Sequence, residues 1–99
     1  MLEDPLKPLE EFDPELYKAV RKGSEFALAD GALPKKIKLL IALALDASHG
    51  AVGGVTALTR AALHAGATKQ EIAEALRVAY YVSGAGSAYT AAHGLKDAL

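Results

Sequence analysis

From Leu16 to Ala27, apolar and small residues recur at steps of three and four: Leu16, Ala19, Val20, Gly23, Phe26 and Ala27. Lys18, Arg21, Lys22 and Glu25 fall elsewhere around the wheel, and this period predicts an amphipathic helix. Asp13-Pro14-Glu15 supplies its start: an N-cap side chain, a proline at the first helical position and an acid in the first turn. The helix is expected to end near Asp30-Gly31. A second helix starts around Pro34, carries Lys35, Lys36 and Lys38 early, and continues into the unbroken apolar run Leu39 to Leu45. A run of that length covers every face of nearly two turns, which predicts burial all round.

A third helix falls between Gly50 and Ala65, weakened early by Gly53 and Gly54 and stopped by Gly66. Thr68-Lys69-Gln70-Glu71 has the spacing of a capping box, in which Thr68 and Glu71 each satisfy a free backbone N–H of the other. It opens a fourth helix from Lys69 to about Ser83. Ile72, Leu76, Ala79 and Ser83 mark one stripe on it, and Ala75, Val78 and Val82 another. Gly84-Ala85-Gly86 breaks the chain before a short last helix from Ser87 to about Asp97. Residues 1–12 hold two of the four prolines among mixed charges and predict an extended arm, whose Leu2, Leu6, Leu9 and Phe12 have the chemistry to lie on a neighbour. The expected organisation is an N-terminal arm over 1–12 and one all-α domain of about five helices over 13–99.

Composition sharpens this in three ways. A chain of 99 residues buries a limited core, yet 52% of its residues are hydrophobic, so some of that surface calls for a second copy of the chain. Eleven Lys and Arg against twelve Asp and Glu give a net charge of -1 with no basic stripe, which argues against nucleic acid as a partner. No apolar run approaches the roughly 20 residues that span a bilayer, and the acidic opening is not signal-like, so a soluble cytoplasmic protein is expected. There is no cysteine, which excludes disulfides, thiolate nucleophiles and sulfur-ligated metals.

The stretch from Leu33 to about Ala92 resembles the carboxymuconolactone decarboxylase and alkylhydroperoxidase-like family. The matching text is Leu33-Pro34-Lys35-Lys36, the apolar helix through Asp46-Ala47, Thr59-Arg60-Ala61-Ala62-Leu63-His64-Ala65-Gly66-Ala67-Thr68, and Glu71-Ile72-Ala73-Glu74-Ala75-Leu76. The resemblance implies a small helical bundle of the alkylhydroperoxidase-like type that assembles as a homo-oligomer, often a hexamer. Peroxide-reducing members of the family place a Cys-x-x-Cys at the start of the helix before that text, a His four residues later and a proton-relaying Glu on the preceding helix. A helix N-terminus favours the first thiolate, and the second thiol resolves the sulfenic acid. Here the two Cys positions fall on Ala51 and Gly54, the His on Leu58 and the Glu on Leu39. None of these residues transfers protons or electrons, and loss of the His also counts against lactone decarboxylation.

The chemistry left near that place is thin. His49 ends the apolar helix directly before the glycine-rich opening of the third, where the family's active site would sit; a His there also serves simply to bond free carbonyls. Asp46 is three residues earlier and can share its face, as an acid-oriented imidazole or half of a metal site would require. A metal normally takes three or more protein ligands and nothing else is spaced to supply them, so no metal and no cofactor is expected. Gly53 and Gly54 offer backbone N–H groups to a carboxylate or phosphate, or else let helices approach. Tyr80 and Tyr81 point in different directions, so one at most, taken as Tyr80, faces a ligand; packing is the alternative for both. His64 and His93 read as solvent-facing, and Glu74 and Arg77 as an exposed or intersubunit ion pair. Two readings remain: a divergent lyase or small-acid or lactone binder using His49 and Asp46, and a catalytically silent oligomeric scaffold or partner subunit.

Overall fold

The computed structural model describes residues 4–99, and among them the chain is helical with no strand. Its elements are α1 (Lys7–Phe12), α2 (Pro14–Leu28), α3 (Lys35–Ser48), α4 (Val52–His64), α5 (Lys69–Ser83) and α6 (Ala85–Ala98). The helix starts follow from local chemistry. Asp13 accepts the Leu16 N–H at 3.1 Å to cap α2. Thr68 accepts the Glu71 N–H at 3.0 Å while Glu71 accepts the Thr68 N–H at 2.9 Å, closing the capping box of α5. Pro34 cannot cap α3; Asp30 does it from four residues upstream, accepting the Lys35 N–H at 2.6 Å. Lys38 donates to the Ala29 carbonyl at 2.7 Å, placing a cation at the C-terminal end of α2. The turn between α2 and α3 is thus stitched from both sides.

Two expected element bounds need correction. The arm is not extended from Lys7 onwards, because Pro8 sits in the first turn of α1, where its missing N–H costs nothing; Leu2 lies outside the described residues. Asp4 ties the start of this segment to α2. It accepts the Leu6 N–H at 2.9 Å and the Tyr17 hydroxyl at 2.9 Å, with the Arg21 guanidinium 3.7 Å away. Those two hydrogen bonds, the Leu6 amide first, hold the Asp4 carboxyl below its ordinary pKa, and the bond to Asp4 raises that of Tyr17. At the other end, α6 starts at Ala85 and not Ser87. Gly84 alone makes the break at φ +90°, leaving Ala85 and Gly86 free to open the helix.

The core is assembled on α3, which packs against α4, α5 and α6. Leu39, Leu40, Leu43 and Ala47 of α3 meet Val55, Thr59 and Ala62 of α4, Ile72 and Ala79 of α5, and Ser87, Ala91 and Gly94 of α6. Gly94 permits the closest approach: a Cβ there would lie 2.5 Å from Val55 Cγ1 and 3.0 Å from the Val52 carbonyl oxygen. Thr56 donates to the Gly94 carbonyl at 2.8 Å across the same contact. The expectation that Leu39 to Leu45 is buried all round fails on one side, because Ile41 and Leu45 are exposed. Helix α2, which buries no residue, meets α3 only slightly and leaves that face open. On α5 the stripe of Ile72, Leu76 and Ala79 faces the core, whereas Val78 and Val82 of the other stripe face out.

Lys36 adds a long-range tie, its ammonium 3.1 Å from the Glu71 carboxylate, so the starts of α3 and α5 are joined. The Thr68 amide first, and then Lys36, hold the Glu71 carboxyl below its ordinary pKa. A depressed folded pKa contributes stability that is full above the ordinary Glu value of about 4.3 and is lost as pH falls through the lowered one. Glu71→Gln keeps the box geometry but not the charge. It should melt slightly below the native protein at pH 7, and the gap should narrow as the pH of the melts falls from about 4.3 through the lowered value.

Candidate functional site

The connection from α3 to α4 is a tight turn in which Gly50 takes φ +76°. The Asp46 carbonyl accepts the Ala51 N–H at 2.9 Å and the His49 N–H at 3.2 Å, so Asp46 holds the turn through its backbone. Its half-buried side chain leans across the junction onto α4. A Cβ on Gly54 would overlap the Asp46 carboxylate, which explains why the third helical residue of α4 has none. The amides of Gly53 and Gly54 have no backbone partner, and a carboxylate beside the first turn of a helix is favoured by its dipole. Gly53, by contrast, is exposed with open space around it.

His49 caps α3 through its backbone while its side chain is exposed. It makes no ion pair with Asp46, so the structure does not bring these two together as an acid-oriented imidazole. Among the described residues, no three of His, Asp and Glu gather as metal ligands would. Tyr80 lies elsewhere. It edges an open apolar trough of about 350 Å³ between α5 and α6, with Leu76, Arg77, Ala88 and Leu95, and neither Asp46, His49, Gly53 nor Gly54 reaches it. Tyr81, His64 and His93 are exposed. Glu74 accepts a hydrogen bond from Gln70 at 3.0 Å and makes no ion pair with Arg77 within the chain.

Leu39, Ala51, Gly54 and Leu58, the four positions singled out by the family resemblance, carry no titratable side chain. Leu39 is 2% exposed in the core, and Leu58 packs against the same cluster. Ala51 is the residue before α4, and Gly54 is the seat of the Asp46 carboxylate. The buried polar side chains among the described residues are Thr59 and Ser87, hydroxyls that do not titrate near neutrality. Perturbed acids and bases gather where catalysis needs them; here every Asp, Glu, Lys, Arg and His described is at least partly exposed.

With that geometry in view, the comparisons with known proteins are specific. The model of the carboxymuconolactone decarboxylase family matches residues 14–97. The chain belongs to that family. A carboxymuconolactone decarboxylase family protein from Legionella pneumophila, solved in its apo form, is 33% identical, covers 93% of this chain and 82% of its own, and superposes with a TM-score of 0.86. A protein from Burkholderia xenovorans, assigned as a carboxymuconolactone decarboxylase, is 28% identical over 98% of this chain and 77% of its own, with a TM-score of 0.84. No curated protein matches. In this carboxymuconolactone decarboxylase family member, then, the fold is kept without a cysteine anywhere in the sequence.

The junction has a direct energetic consequence. Gly54→Ala forces Asp46 off α4 and should cost about 1–3 kcal/mol by overpacking. With Asp46→Ala already in place, the same substitution should be neutral or stabilise by up to about 1 kcal/mol, because Ala outranks Gly in a helix. Denaturant unfolding of the four proteins of this double-mutant cycle measures the reversal.

Proposed function

We propose that this protein is a non-redox, catalytically silent member of the carboxymuconolactone decarboxylase family that serves as a homo-oligomeric scaffold or partner subunit. One observation carries the reading: Leu39, Ala51, Gly54 and Leu58 stand where a proton and electron relay is expected, and the two leucines are built into the core. Thiol-dependent peroxide reduction then has no electron donor in the chain. The exposed apolar side chains on α2, α3, α5 and α6 support assembly, since a monomer does not benefit from leaving them in water.

The competing reading, a lyase or binder of small acids or lactones at His49 and Asp46, draws on the free amides of Gly53 and Gly54. Against it stands the Asp46 carboxylate, which already lies where an anionic ligand would approach Gly54 and would repel it. Among the described residues His49 also has no ion-pair partner to fix its ring as the acid of a catalytic triad would. The two readings separate in an NMR titration of the native protein with small carboxylates and five-membered lactones. The His49 ring signals should move no more than with added chloride. A saturable shift abolished by Gly54→Ala and unaffected by His64→Gln would sink the silent reading in favour of the binder.

A further inference from the structure

Helix α2 is fifteen residues long, well capped and amphipathic, yet none of its residues is buried. On the α1–α2 hairpin, Phe12 and Phe26 are 87% and 88% exposed, and Leu16 and Val20 are 44% and 37% exposed. The hairpin is held to itself by Asp4, Tyr17 and Arg21 and to the body by the stitched turn at Ala29, Asp30, Lys35 and Lys38. Those bonds fix its departure from the body, so it does not fold down over α3 within the same chain. A helix of that length is only marginal in water without a surface to pack on.

The surface left open lies beside it. Lys38, Ile41, Leu45 and His49 follow one another at steps of three and four along the outer face of α3. Together with Ala27 and Leu28, the first three of these line an apolar trough of about 230 Å³ in the angle between α2 and α3. The donor stripe and the receiving trough are on one chain, so two copies related by a two-fold axis satisfy both at once.

We infer that the α1–α2 hairpin of one copy lies across the α2–α3 trough of a second copy, and reciprocally, as a two-fold clasp. This rests on the assembly reading above and names the surface that assembles. The four exposed hairpin side chains present on the order of 500 Å² of apolar area. Two hairpins and two receiving faces together reach the roughly 1,200–2,000 Å² that a stable dimer buries.

Sedimentation velocity of the native chain and of Phe26→Glu and Leu45→Glu tests this. The native protein should sediment as a multiple of the chain mass, and each substitution should weaken association at least 100-fold, with helical content by circular dichroism unchanged. An assembled native protein whose mass survives both substitutions overturns the clasp and leaves the assembly reading standing; a native monomer at all concentrations overturns both. A second measurement covers the case in which a variant fails to fold. Amide hydrogen exchange across α2 in the native protein should slow as concentration rises from monomer to oligomer, and exchange that is the same at both ends contradicts the clasp.

Discussion

One apolar helix, α3, is the floor on which α4, α5 and α6 all rest, and small residues on those helices set how closely they approach it and each other. Gly94 lets α6 bring its backbone against Val55 and the Val52 carbonyl. Ala47, Ala62, Ala79 and Ala91 do the same work elsewhere in the core. Twenty-one alanines in 99 residues make sense in this light, since short side chains let a small bundle reach interior density without large residues to fill it. The constraint also has a cost. A helix enclosed on three sides by close neighbours has a fourth side left, and α2, leaving at an angle fixed by Asp30 and Lys38, does not close it.

The same packing decides what happened to the chemistry. A relay needs polar groups near the core, with their solvation replaced by partners. In this chain, Leu39 and Leu58 contribute apolar burial, and no titratable side chain is buried beside them among the described residues. Gly54 is constrained by a neighbour. Because the Asp46 carboxylate rests against its Cα, any side chain there requires Asp46 to move, so residues 46 and 54 form a coupled pair.

Much of the fold was legible in the sequence because the signals were local. Asp13-Pro14 and Thr68-Lys69-Gln70-Glu71 fix helix starts through atoms three residues apart, and the structure places both as read. Relations set by topology were less legible. Periodicity says that Leu39 to Leu45 is apolar on every face but cannot say that one face lacks a partner, so Ile41 and Leu45 came out exposed. Two prolines suggested an extended arm, since the sequence does not say whether a proline falls in a first turn or an interior one. Asp30 capping α3 and Lys36 reaching Glu71 span five and 35 residues, beyond any cap pattern. Tyr80 joined the candidate site by residue type alone, and the bundle carries it to another face.

The family's fold stands here without a cysteine in the sequence and with Leu39 and Leu58 packed in or against the core. The most direct test is peroxide consumption by the native protein in the presence of a dithiol donor, followed against a buffer blank and a cysteine-bearing family member as a positive control. The rate should be indistinguishable from the blank at every protein concentration. Consumption that rises in proportion to this protein would contradict it.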